Sequence, residues 1–177
     1  MKEVLLRLIY HPLVNKVLRN INKLLSPILP VSLRIPPSGI ITVKLKKTKF
    51  KFVTNQTNTT SQLLFWKGPY SIEYTTVFED LIKNCSCYYD VGAHAGYYSI
   101  LAATVNPNII AIAFEPASGP FYYLKQNIIV NHFEDRVKPY PIAIGNEVGQ
   151  TKPHARLEMP RTGHLFVSPC ANVPCVA

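Results

Sequence analysis

The sequence predicts an α/β fold built on a parallel sheet, preceded by a basic appendage of helix and β-hairpin, and three observations carry that prediction. The run Cys87 to Ile100, CYYDVGAHAGYYSI, passes from a short apolar strand through an acid and a glycine turn into a helix. About a dozen residues after that helix begins, Ile109 to Phe114 forms a nearly unbroken apolar run, the pattern of a parallel strand covered on both faces. A third strand-like stretch, Val137 to Ile144, follows a second helical stretch.

Each element has a local reason. Tyr88, Tyr89 and Val91 favour a strand over Cys87 to Val91. Gly92 permits a turn that a side chain would obstruct, and Gly96 lets the helix over Gly96 to Thr104 lie close to the strand. The second strand ends in Glu115-Pro116, and the second helix is expected from Phe121 to Asn131.

A strand, a glycine turn and a helix, with an acid at the tip of the next strand, form a place to hold a nucleotide-like cofactor, the acid receiving ribose hydroxyls. Two cofactors compete. A dinucleotide sets its pyrophosphate on the helix N-terminus and wants G-x-G-x-x-G. Here the turn reads Gly92-Ala93-His94-Ala95-Gly96, with His94 where the middle glycine would stand and the anion Asp90 just before it. That favours S-adenosylmethionine, which carries an amino group and a sulfonium cation, over NAD. The plainer reading of the motif is a tight strand-to-helix turn and nothing more; Glu115 at its spacing argues against it.

Four phrases in register, DVGAHAGYYS, IAFEP, YLKQNIIVN and PIAIGNEVG, resemble the FkbM family of S-adenosylmethionine-dependent methyltransferases. The family turn reads D-V-G-A-N-x-G-Y-Y, so His94 replaces the customary asparagine, and its A-F-E-P matches Ala113 to Pro116. The resemblance covers about Phe65 to Gln150, with Trp66, Gly68, Tyr70 and Glu73 as the lead-in. It implies a Rossmann-like class I methyltransferase sheet whose first three strands carry the cofactor. By the same resemblance Asp90, Gly92, Ala93, His94 and Gly96 line the methionine side, Glu115 takes the ribose, and Phe114 and Pro116 shape the adenosine surface. The implied reaction is attack by an acceptor hydroxyl, of a small molecule or glycan, on the cofactor's methyl carbon, with the protein supplying orientation and a dry pocket. His94 suits orientation of the ligand better than the role of base, and His132 and His154 read as surface residues. Asn127 is open between facing the cofactor and packing; a helix end accounts for Asn131.

The family's later acidic lysine-aspartate-valine-glutamate-glycine phrase has no counterpart after Gln150, so the expectation is a chain cut after its third strand, with the catalytic half missing. The stretch Thr151 to Ala177 holds Pro153, Pro160, Pro169 and Pro174 without sustained periodicity and reads as an irregular tail. A sheet cut there exposes the edge of its first strand and invites self-association.

Of the 177 residues, 47% are hydrophobic and 16% charged, a globular composition with net charge +9. Residues 1–51 hold 11 of the 19 Lys and Arg against one acid, Glu3, so the basicity belongs to the appendage. The organisation expected is a basic helical segment over 1–40, a hairpin and lead-in over 41–84, the cofactor-binding βαβαβ half over 85–150, and the tail over 151–177. In the first segment Leu5, Leu8, Leu13, Val17, Ile21 and Leu24 recur near helical spacing among Arg7, Lys16, Arg19 and Lys23, with Pro12 interrupting the run. Charges and Pro12 argue against a transmembrane span of about 20 apolar residues, and Arg7, His11 and Pro12 against the apolar core of a secretory signal. The commoner arrangement, a helix packed on its own domain with solvated lysines, is the expectation; an anionic membrane surface is the alternative partner. The implied location is cytoplasmic, or peripheral to the membrane.

From Ile41 to Val53 the pattern alternates. Val43 and Leu45, then Phe50 and Phe52, flank Lys46-Lys47-Thr48, a hairpin with Lys44, Lys46, Lys49 and Lys51 near its surface. Lysines beside phenylalanines suit phosphates and stacked bases, but core phenylalanines and edge-guarding lysines are the commoner case, and nucleic acid is not the expected partner. Cys85, Cys87, Cys170 and Cys175 lack zinc spacing, and reduced thiols and no metal are expected. Two functions follow: an FkbM-type O-methyltransferase, or a non-catalytic cofactor-binding fragment or remnant acting by association.

Overall fold

The computed structural model describes residues 2–144. The tail with its four prolines, Cys170 and Cys175, His154, and the Gly145 to Gly149 part of the PIAIGNEVG phrase lie outside the described residues. The chain divides into two compact units, Met1–Val77 and Phe78 onward.

The first unit opens with helices α1 (Lys2–Ile9) and α2 (Pro12–Leu24). Pro12 interrupts the run as expected: it is the first residue of α2, a position where its missing N–H has no intrahelical partner and its φ is already helical. A turn of 3-10 helix at Val31–Leu33 leads to strands β1 (Gly39–Lys44) and β2 (Lys49–Thr54), paired antiparallel as the alternation predicts. Ile41 faces Phe52 and Val43 faces Phe50, all four buried, while Lys44, Lys46, Lys49 and Lys51 are exposed. The phenylalanines are therefore core and offer no stacking platform. Helix α3 (Thr59–Trp66) is capped by Asn58, whose side chain accepts the Ser61 N–H at 3.0 Å.

Contrary to the expected packing, α2 lies on its unit by its polar stripe. Asn15 and Arg19 are 0% and 3% exposed, whereas Leu13 and Leu24 are 72% and 80% exposed. The surface beneath α2 explains the inversion, because it presents backbone carbonyls that need donors. Asn15 Nδ2 donates to Pro36 O, and the Arg19 guanidinium donates to Ser38 O, Ile40 O and Asn15 Oδ1. Buried carbonyls left without donors would cost more than the exposed leucines do. Gly39 (φ +87°) permits the approach, since a Cβ there would lie 2.9 Å from that of Pro12.

In the second unit, which takes the C-terminal part of α4 (Thr75–Ile82), strands β3 (Cys87–Val91), β4 (Ile110–Phe114) and β5 (Val137–Tyr140) form a parallel sheet in the order β3-β4-β5. This is the strand order of the first half of a doubly wound sheet. Helices α5 (Tyr97–Val105) and α6 (Ser118–Val130) make the two crossovers. The core is Ile100, Leu101 and Ala102 of α5, Ala111 and Ala113 of β4, Leu124 and Ile128 of α6, and Val137. Three expectations need correction. Strand β4 is fully covered only on its alanine face, with Ile110, Ile112 and Phe114 half-buried. Helix α6 begins at Ser118 rather than Phe121, because Pro120 falls in its first turn, where no N–H is missed. Strand β5 stops at Tyr140 rather than Ile144, as Pro141, the next residue, supplies no ladder N–H; Pro139 lies within the strand, opposite Ala113.

Candidate functional site

The strand ends and the turn meet at the carboxyl edge of the sheet, where open α/β sheets place their ligands. Gly92 (φ 79°), His94 (φ 52°) and Gly96 (φ 83°) are all left-handed. Glycine reaches that region without strain, and asparagine and histidine reach it more readily than most residues, which accounts for His94 at a position where the resembled family carries asparagine. Gly96 caps α5.

Four of the turn's amides, those of Gly92, Ala93, His94 and Gly96, are donated within the protein. Gly92 N–H and Ala93 N–H both donate to Phe114 O, at 2.9 and 3.0 Å, and Gly96 N–H donates to Ala93 O. His94 N–H donates to Glu115 Oε2 at 2.8 Å, while Ala117 N–H donates to Glu115 Oε1 at 2.8 Å. One carboxylate thus ties the end of β4 to the turn after β3 and to the start of α6. Glu115 is 7% exposed, Phe114 half-buried, and Pro116, Gly92 and His94 exposed. Phe114 stacks on Tyr140 with ring centroids 5.7 Å apart.

Asp90 is 8% exposed, with Tyr88 Oη donating to Oδ1 at 3.2 Å and Ser99 Oγ donating to Oδ2 at 2.5 Å. Burial pushes its carboxyl above the usual carboxylate range; the hydrogen bonds from Ser99 and Tyr88 oppose this, and repulsion from Glu115 adds to it. Burial and Asp90 together push the Tyr88 phenol up. Asp90 accordingly sits behind the turn, and Ala93 and Gly96 are likewise buried against the helix.

Ser99 and Asn127 were the less legible members. Ser99 holds Asp90, and its one sequence signal is a small polar residue nine positions after Asp90 in a mostly apolar helix. Asn127, fully buried on α6, donates to Ala95 O at 2.9 Å and braces the turn from behind. Asn131 closes α6, its side chain donating to Asn127 O. His132 is exposed. No group of three metal-ligating side chains occurs among the described residues.

Over part of its length the chain is similar to solved methyltransferases. It matches a SAM-dependent methyltransferase from Agrobacterium tumefaciens at 10% identity over 59% of this chain and 32% of that one, with a TM-score of 0.42. It matches human methyltransferase 10 domain containing protein at 28% identity over 42% and 39% of the two chains, TM-score 0.36. It matches TYW2 of M. jannaschii, solved in complex with AdoMet, at 20% identity over 58% and 42%, TM-score 0.41. The chain spans between 32% and 42% of the length of these proteins. No protein-family model matches the chain, and no curated protein matches it in sequence.

Proposed function

We propose that this chain carries the cofactor side of an S-adenosylmethionine-dependent methyltransferase of the FkbM type, methylating a hydroxyl of a small molecule or sugar. The observation that carries the reading is the closure of the turn on Glu115. A pyrophosphate needs free amides and positive potential at the helix start. Here the amides of Gly92, Ala93, His94 and Gly96 are already donated, and a carboxylate stands at the turn. That arrangement repels phosphate and suits a cationic cofactor with a free diol.

The residues fit such a group. Each carboxylate oxygen has about two acceptor positions, and each Glu115 oxygen gives one to a backbone amide, which leaves acceptor capacity for two ribose hydroxyls. Gly92 is exposed and has no side chain to fill the space above the turn, while Phe114 and Pro116 offer apolar surface for an adenine. When bound, S-adenosylmethionine supplies a methyl group on a positively charged sulfur that is already a good leaving group. The work left to this chain is orientation and exclusion of water. Asp90 acts through the turn it supports, and His94 orients ligand from an exposed position.

The test is titration calorimetry of the full chain with S-adenosylmethionine and with NAD, on wild type and Glu115→Gln. S-adenosylmethionine is expected to bind, NAD not to, and the substitution to weaken binding roughly tenfold through loss of a charge-assisted bond to the diol. NAD binding as tight as S-adenosylmethionine, or an unaffected variant, overturns the assignment. A second reading is a non-catalytic cofactor-binding protein that self-associates. It is favoured by the exposure of Tyr89 and Val91 on β3, which lies at the edge of the described sheet. Transfer of labelled methyl to hydroxyl acceptors separates the two.

A further inference from the structure

The first unit exposes the apolar side of the helix that ought to hide it. Leu13, Val17, Ile21 and Leu24 recur at spacings of four, four and three, one face of a helix, and each is more than half exposed. Val4, Leu5 and Leu8 of α1 are exposed to a similar degree. An apolar stripe of this extent on a helix whose polar face is already committed is a contact surface for something else. Lys16 lies on α2 beside the stripe, between it and the buried Asn15 and Arg19, while the Lys23 ammonium next to it is held on Phe65 O at 2.7 Å, and Arg7 is exposed on α1.

Charge decides the occupant. Residues 1–77 carry twelve of the nineteen Lys and Arg and only two acids, Glu3 and Glu73. A second copy of this unit would set like charges against like. Residues 145–177 are no better matched, since they hold three basic residues, Lys152, Arg156 and Arg161, against Glu147 and Glu158. Among the described residues no helix is long and apolar enough to cross a membrane. An apolar stripe rimmed by lysine and arginine, too short to span, matches the interface of an anionic bilayer, with leucines among the upper acyl carbons and cations at the lipid phosphates.

We propose that α1 and α2 dock the protein on an anionic phospholipid surface, the α2 stripe of Leu13, Val17, Ile21 and Leu24 inserting and Arg7 and Lys16 meeting the headgroups. Because Asn15 and Arg19 hold α2 to its unit from the opposite side, docking needs no unfolding of the helix.

The experiment is flotation of the full chain with vesicles of phosphatidylcholine alone and of phosphatidylcholine with about one-third phosphatidylserine, alongside sedimentation velocity without lipid. Partition onto the anionic vesicles is expected to exceed that onto neutral ones by at least roughly tenfold and to fall with added salt. The double variant Leu13→Ser with Ile21→Ser should abolish partition, and Arg7→Gln with Lys16→Gln should lower it about twenty-five-fold, near fivefold for each charge. All four side chains are exposed, so Trp66 fluorescence and circular dichroism are expected to match wild type. Equal partition onto neutral vesicles, absence of partition, or a dimer that the serine variant dissolves without any vesicle binding each overturns the proposal.

Discussion

Gly96 is the residue on which the geometry of the turn depends most sharply, and Gly96→Ala gives a calculable loss. Two costs add. At φ +83° an L residue sits in the left-handed region, which costs about 1–2 kcal/mol. A Cβ built there lies 2.5 Å from Leu124 Cδ1, and Leu124 is fully buried, so its side chain must shift within a packed core at about 1–3 kcal/mol. The sum, about 2–5 kcal/mol, corresponds to a fall in the second unit's melting temperature of roughly 8–40 °C, at about 4–8 °C per kcal/mol. Leu124→Ala isolates the second cost, because it removes the side chain that the new Cβ would meet. Calorimetry of Gly96→Ala, Leu124→Ala and the double variant separates the two contributions. The truncation should cost less in the Gly96→Ala protein than in wild type, since it makes room for the new methyl. A Gly96→Ala loss below about 1 kcal/mol, or strict additivity with Leu124→Ala, would refute the reasoning.

Three other outcomes are expected. Asp90 has its carboxyl raised above 3.8 in the folded protein, so the native state holds the proton more tightly than the unfolded chain, and stability drains away as pH rises from that value through the raised one. Asp90→Asn should therefore gain on wild type as pH increases from 4 towards 7 in urea titrations; a difference independent of pH contradicts the assignment. Arg19→Ala strips donors from Ser38 O and Ile40 O and should destabilise the first unit by about 2–4 kcal/mol, followed by Trp66 fluorescence; a loss below about 0.5 kcal/mol would mean that water replaces the guanidinium freely. Phe52→Ala should cost about 3–5 kcal/mol because the ring is fully buried, while Lys51→Ala costs within about 0.5 kcal/mol, and the reverse order would return the hairpin to the surface.

The parallel sheet was legible because its signals are local. Apolar runs at Cys87 to Val91 and Ile109 to Phe114, with glycines between strand and helix, leave few other structures open, and the structure pairs these strands in parallel. The hairpin was legible for the same reason, its alternation placing Val43 opposite Phe50. Boundaries shifted where proline acts differently by position. Pro120 is harmless in the first turn of α6, and Pro139 is tolerated within β5, whereas Pro141 ends that strand.

What the sequence determined by itself was periodicity: which residues make helices, which make strands, and that Asp90, Gly92, His94, Gly96 and Glu115 fall at strand ends and turns. Tertiary structure decided where those residues' polar atoms go. Glu115 gives one lone pair of each oxygen to backbone amides twenty-one and two residues away, and Asp90 withdraws behind Tyr88 and Ser99. Tertiary structure also decided which face of α2 is buried. A helical wheel sees that leucines and valines share one side, and the hydrophobic effect then argues for burying it. It does not see that the chain from Pro36 to Ile40 turns its carbonyls toward the helix, and those carbonyls demand the donors of Asn15 and Arg19. The need of buried backbone oxygens for partners is a property of the folded chain, and it reversed the amphipathic helix.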